Sequence, residues 1–153
     1  MTKEIIYIGD PMCSWCWGFS PVINAIQHDF NHEAPLSIVL GGLHAYDDFP
    51  MSNDYKTNIR QHWQDVNTAT GAIFDYRFFD RDKFILDTEP ACRAVVTIRQ
   101  IKPDSVLLFY ESISRSFYSE NKDTTMLETF KLLVEELDID FKEFDKKFHS
   151  EHT

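Results

Sequence analysis

The sequence predicts an α/β fold, a βαβ unit at the front of the chain followed by a long helical region. Two observations carry this. Two short β-branched runs flank one amphipathic helical pattern within residues 5–42, and the periodicity beyond them is helical. Ile5–Ile8 is a β-branched and aromatic run closed by Gly9-Asp10-Pro11, and reads as a buried strand. From Cys13 to about Asn31, Phe19, Val22, Ile23, Ile26 and Phe30 recur at helical spacing. Pro21 falls inside that helix, lacks an amide N–H, and is expected to kink it. Leu36-Ser37-Ile38-Val39-Leu40, ended by Gly41-Gly42, is the second strand. Strand, helix and strand over this length fit a right-handed crossover between parallel strands.

Residues 52–67 are polar with sparse apolar positions, a surface helix. The aromatic-rich stretch Ile73–Phe84 reads as a loop with short helical pieces. Thr88-Glu89-Pro90 starts a helix, with Thr as its cap and Pro in the first turn, and Pro103 stops it after about Ile101. Asp104 is placed to cap the next helix, with Val106, Phe109, Tyr110, Ile113 and Phe117 on one face. Asp123 and Thr124 open another with Leu127, Phe130, Leu133, Val134 and Leu137 as its stripe. Asp140 opens the last, which carries Phe141, Phe144 and Phe148. No internal repeat or low-complexity linker appears. The expected division is a βαβ unit over 1–45 and a mostly helical unit over 46–153, with no third strand behind the first two.

A chain of 153 residues, 43% of them hydrophobic, is one ordinary domain's worth of core. Five Gly and six Pro are too few for a fibrous or disordered chain. A net charge of −10 argues against a nucleic-acid backbone or an anionic membrane surface as partner. The opening residues Met1 to Ile8 lack the basic and apolar blocks of a secretory leader, and no run of about 18 apolar residues could span a bilayer. The expectation is a cytoplasmic protein whose thiols are kept reduced. Three cysteines do not make a disulfide framework.

Cys13 and Cys16 form a Cys-x-x-Cys pair where the first strand hands over to the helix. A thiol at a helix N-terminus meets unsatisfied N–H groups and the positive end of the helix dipole, which favour the thiolate. Two thiols on one helical turn can also close into a disulfide and reopen by exchange. Three readings compete. A zinc site needs two more ligands at matching spacing; Cys92 stands alone, and His28, His32, His44, His62, His149 and His152 offer no convincing second half. A structural pair of buried thiols is the second reading, and redox chemistry the third. Among neighbouring residues, Asp10 reads as a cap of the turn before the helix rather than a proton shuttle. Cys92 reads as a small buried thiol rather than a third redox partner. Of the aromatics, Trp15 is the one expected to be exposed for substrate, with Trp17 and Phe19 in the core. Trp63 and the Phe74–Phe84 run could line a groove, though aromatic clusters are mostly packing. His44 lies at the carboxyl end of a parallel strand, where α/β sites form, against a plainer reading as a solvated loop histidine.

Asp10-Pro11-Met12-Cys13-Ser14-Trp15-Cys16-Trp17-Gly18-Phe19, followed by Pro21, resembles the active-site segment of the DsbA family of thioredoxin-like proteins, most of all its cytosolic FrnE-like branch. Thr88–Val95 and Ser116–Glu120 are similar to segments of that branch's helical insertion. The resemblance implies a thioredoxin-like βαβ unit with an inserted helical domain and a thiol–disulfide oxidoreductase or isomerase. It implies that Cys13 attacks and Cys16 resolves, with Cys13 the more exposed and anionic and Cys16 the more buried. Ser14 and Trp15 would tune the redox potential, and Trp15, Pro11 and His44 would contact substrate. No metal or organic cofactor is implied. The partner would be a disulfide- or thiol-containing protein, with glutathione or a thioredoxin-type reductant supplying electrons.

The resemblance also marks departures. Family members continue into two antiparallel strands and a final helix, preceded by a loop whose cis-proline faces the cysteines. This chain reaches Thr153 about where that portion would begin, so the expectation is a shortened version of the fold. Its two-stranded sheet would have open edges, and a second copy could cover them in a homodimer. Thioredoxins often keep a buried carboxylate six residues before the first cysteine, where this chain has Tyr7. Related glutathione-linked isomerases of the kappa class usually carry Ser at the Cys13 position. A redox-inert, chaperone-like binding module is the remaining alternative.

Overall fold

The computed structural model describes residues 3–151 and 153; Met1, Thr2 and His152 lie outside the described residues. Strands β1 (Ile5–Gly9) and β2 (Leu36–Leu40) pair in parallel, with Ile5 opposite Leu36 and Gly9 opposite Leu40. The crossover between them is helix α1 (Ser14–Phe30), as a parallel pair requires. Pro21 does not break it: the helix runs through that position without interruption. The sheet has two strands.

Helices cover one face of that sheet. Tyr7 and Gly9 point to the covered side, where the Tyr7 ring meets Phe19 at 6.0 Å and Tyr110 at 6.1 Å between centroids. Ile6 and Ile8 point the other way and are 59% and 68% exposed. The expectation of a buried first strand therefore fails for half of its residues. An apolar side chain on a strand is buried only where something packs on its face, and a run of four similar residues does not say which face that is.

Helix α2 (Asn53–Thr70) is capped by Ser52, whose hydroxyl accepts the Tyr55 N–H at 3.1 Å. It lies close against α1, since a Cβ on Gly18 would come within 2.6 Å of Val66 Cγ1. Trp63 of α2 is buried against Phe74, Phe78, Phe79 and Tyr118 at centroid distances of 4.7–5.1 Å. The aromatic stretch after α2 thus packs as core around a short 3₁₀ turn over Tyr76–Asp80.

Helix α3 (Glu89–Ile101) starts where expected, but its cap is Asp87, whose Oδ1 accepts the Glu89 N–H at 2.9 Å. Thr88 is not the cap, because its hydroxyl accepts the His44 N–H at 3.1 Å and ties the loop after β2 to α3. Asp104 sits inside a 3₁₀ turn, Pro103–Ser105, and helix α4 (Val106–Tyr118) begins only after it. α4 is the central helix, packed against α1, α3 and helix α5 (Leu127–Glu135). Asp123 lies before the start of α5, its Oδ1 taken up by the backbone and hydroxyl of Thr125. Asp140 caps helix α6 (Phe141–Phe148) as expected, accepting the Lys142 N–H at 3.0 Å. No helix among the described residues is long and apolar enough to cross a membrane.

Candidate active site

The turn between β1 and α1 is held from three directions. The Cys13 N–H donates to the Asp10 carbonyl at 3.1 Å, closing the turn. The buried Asp10 carboxylate accepts the Met12 N–H on Oδ1 at 2.8 Å. Its Oδ2 accepts the Leu43 N–H at 2.8 Å and the Cys92 thiol at 3.5 Å. Asp10 is therefore the capping residue the sequence suggests, and it fastens the turn to both the β2 end and α3. The Ser114 hydroxyl of α4 donates to the Pro11 carbonyl at 2.8 Å. Pro11 is buried under that contact and is not among the residues lining the cavity described below.

This anchoring leaves Cys13 as the N-cap residue of α1, with Ser14, Trp15 and Cys16 in the first turn. Both thiols are half-buried, so the expected contrast in exposure between Cys13 and Cys16 is absent. Trp15 is 51% exposed, as its position predicts. Trp17 is only half-buried, its indole donating to the Ile73 carbonyl at 3.1 Å, and Phe19 is 39% exposed. Trp17 packs against the core as a partly buried residue, whereas Phe19 lies outside it.

A cavity of about 550 Å³ opens beside Cys13. Cys13, Ser14 and Trp15 form one wall, α2 the opposite one through Tyr55, Asn58 and His62, and Trp63, Phe78 and Phe117 its apolar floor. Cys16 does not line it. His44 does: its Nδ1 pairs with Asp47 Oδ2 at 3.0 Å and its Nε2 with the Tyr55 hydroxyl at 2.9 Å. The histidine flagged at the strand end thus faces the thiols' cavity, fixed by two partners rather than solvated. Tyr55, Asn58 and His62 escape sequence reasoning, because they sit on a helix whose polarity reads only as surface.

The two sulfurs hold one proton between them, so the first ionisation is easy and the second hard. Cys16 is the acceptor: the hydrogen bond from the Cys13 thiol, outweighing desolvation, brings it down to about 5. The Asp10 backbone N–H and the hydroxyls of Tyr7 and Tyr110 act in the same direction. Cys13, as donor, is pushed far above the ordinary thiol range by that same bond and by burial. The N–H groups of Trp15 and Cys16 oppose this, as a helix N-terminus should, without closing a cap hydrogen bond. The pair as a whole therefore gives up its first proton easily, one sulfur being charged and the other its donor. Helix-end geometry is legible locally, but the phenols that favour Cys16 come from elsewhere in the chain. Cys92 is buried, and burial foremost pushes its thiol well above the ordinary range, the state of an unreactive packing residue. Among the described residues no group of three His, Cys, Asp or Glu side chains is placed to hold a metal ion.

No family model matches the chain, and no curated protein matches it. Solved structures do. The chain superposes with a TM-score of 0.91 on the crystal structure of a "putative protein disulfide isomerase" from Nitrosomonas europaea, at 37% identity over 98% of this chain and 72% of that one. It also matches the cytosolic disulfide reductase DsbM from Pseudomonas aeruginosa at a TM-score of 0.78 and 22% identity, over 94% of this chain and 70% of that one. The same reductase with glutathione matches equally, at a TM-score of 0.78 and 22% identity over 95% and 71%. At that identity the likeness to DsbM is one of fold.

Proposed function

The chain belongs to the DsbA-like family of disulfide oxidoreductases with the thioredoxin fold, and from that premise we propose that Cys13 and Cys16 are its redox pair. One observation carries the reading: Cys13 opens onto the cavity while sharing its proton with a Cys16 that does not. In the reducing direction the shared proton passes to Cys16, leaving a Cys13 thiolate. That thiolate attacks one sulfur of a substrate disulfide, forming a mixed disulfide and expelling the other sulfur as a thiolate. The Cys16 thiol gives its proton to this first leaving thiolate. Cys16, now anionic, attacks Cys13, releasing the second substrate thiolate and closing the Cys13–Cys16 disulfide. Two electrons pass to the substrate, and a dithiol partner or glutathione restores them.

The unit over 1–45 supplies the thiols, and the helical unit over 46–153 supplies the facing wall. Ser14 and Trp15 neighbour Cys13 on the cavity wall and tune its potential; Trp15 and His44, which both line the cavity, contact substrate. The cavity's size and mixed lining suit a segment of a protein disulfide or a thiol tripeptide, and the DsbM likeness, with glutathione present, supports the second. A reducing, cytoplasmic setting accords with a pair that acts on disulfides from its dithiol form.

Insulin reduction with a thiol reductant as electron source tests the proposal. Wild type is expected to catalyse it and Cys13→Ser to fall to the uncatalysed rate, while Cys16→Ser accumulates a mixed disulfide. Equal turnover by wild type and Cys13→Ser overturns it. If both only suppress insulin aggregation, the protein is a holdase.

A further inference from the structure

We propose that the phenol oxygen of Tyr55 is a hydrogen-bond acceptor for substrate, taking a backbone N–H of the peptide beside the half-cystine under attack, with His44 and Asp47 holding it in that role. This rests on the redox-pair reading above and adds the group that recognises the chain around the sulfur.

Asp47 and His44, from the loop after β2, and Tyr55, from the first turn of α2, are hydrogen-bonded in a line. Asp47 Oδ2 lies 3.0 Å from His44 Nδ1, and His44 Nε2 lies 2.9 Å from the Tyr55 hydroxyl. The partners set the direction of both bonds. A carboxylate offers only lone pairs, so Nδ1 carries the ring proton and donates to Asp47. A neutral imidazole with its proton on Nδ1 has only a lone pair on Nε2, so the Tyr55 O–H donates to it. The phenol proton is thereby engaged, and the oxygen keeps a lone pair with no other partner among the described residues. Burial, and after it the Asp47 charge, hold the phenol above its ordinary range, so it stays a hydroxyl at neutral pH.

The line shares an anchor with the thiol. The Asp10 carboxylate accepts the N–H of Met12, the residue before Cys13, and that of Leu43, the residue before His44. The His44 N–H donates to Thr88 Oγ1 at 3.1 Å and the Tyr55 N–H to Ser52 Oγ at 3.1 Å, so both backbones are fixed. Tyr55, His44 and Cys13 all line one cavity. The other polar groups of the α2 wall lack this fixed direction. Gln61 is bonded to Asp65 at 2.9 Å, and Asn58 and His62 are exposed. Among the described residues no Lys or Arg lines the cavity, so recognition there is by hydrogen bonds rather than by permanent positive charge. A fixed neutral acceptor matches a neutral donor, and the donor that every peptide carries beside its cysteine is the backbone N–H.

The test uses a short peptide with a single cysteine, held as a mixed disulfide with thionitrobenzoate, and depsipeptides in which an ester oxygen replaces one flanking N–H at a time. Release of thionitrobenzoate by the reduced protein gives the half-saturating concentration of each. Wild type is expected to need about three- to tenfold more of the depsipeptide lacking the recognised N–H, the worth of one hydrogen bond. In Tyr55→Phe, which keeps the ring, amide and ester forms should become equal to within about a factor of two. His44→Leu, which retains the backbone bond to Thr88, should shrink the difference too, and carries the test if Tyr55→Phe does not fold. A difference as large in the folded variant as in wild type overturns the proposal, as does no difference at any ester position in wild type. The glutathione mixed disulfide distinguishes the source of the N–H: Tyr55→Phe weakens it as well if the N–H lies within a thiol tripeptide, and weakens only the longer peptide if it lies beyond. If wild type releases thionitrobenzoate no faster than Cys13→Ala, the redox-pair reading fails. Fluorescence anisotropy of the labelled amide and ester peptides on Cys13→Ala protein then still decides on Tyr55.

Discussion

Cys13 and Cys16 divide one proton unequally, and that division sets how the reduced protein responds to pH. Cys16 lies near 5 in the folded state against an ordinary thiol value near 9, so its anion stabilises the fold above the ordinary value. That contribution is lost as pH falls through about 5. Cys13 is shifted the other way, and its contribution is lost as pH rises past the ordinary thiol range. Urea denaturation of the reduced protein should therefore show stability climbing between about pH 5 and pH 8.5 and declining beyond, with the climb missing in Cys16→Ala. Asp10 acts beside them by position rather than by charge transfer. Asp10→Ala strands the buried N–H of Met12 and frees the more exposed N–H of Leu43, and should cost roughly 1–3 kcal/mol in the same measurement. The cysteines themselves and the capping role of Asp10 are legible in the sequence, because a strand, a turn and a helix start within a dozen residues of one another. The surroundings of the pair are not, because Tyr110 and the wall of the cavity come from helices far along the chain.

At the scale of elements, the thiols depend on how α1 is clamped between β1, α2 and α4. Gly18 lets α1 and α2 approach until Val66 occupies the space a side chain would need. Gly18→Ala should cost about 1–3 kcal/mol by overpacking and widen the cavity, raising KM for a disulfide substrate more than it lowers kcat. An unchanged urea midpoint with unchanged KM would show that the two helices are free to separate. Periodicity locates every helix here, since apolar spacing is a property of neighbouring residues. The helix starts are less secure. Thr88, Asp104 and Asp123 all resemble caps, yet each is taken up elsewhere: by the His44 amide, by a 3₁₀ turn, and by Thr125. A capping side chain is only a cap if nothing nearer competes for it.

Across the whole molecule, the aromatic cluster around Trp63 joins the α2 wall of the cavity to α4. Trp63→Ala should destabilise the protein by about 3–5 kcal/mol and remove the floor beneath Cys13, with loss of substrate affinity exceeding any change in thiol reactivity. Replacing Ile8 by Lys, on the uncovered face of the sheet, should alter stability by less than about 0.5 kcal/mol. The sequence by itself determined the βαβ start, the helical remainder and the placement of two cysteines on the first turn of a helix, because hydrophobic spacing, glycine and proline act over a few residues. Tertiary structure alone decided which strand face is covered, that Pro11 is buried and His44 faces the cavity, and that the rings of Tyr7 and Tyr110 meet beside Gly9. Those outcomes turn on contacts between residues far apart along the chain, and no local pattern records which distant side chain will fill a given space.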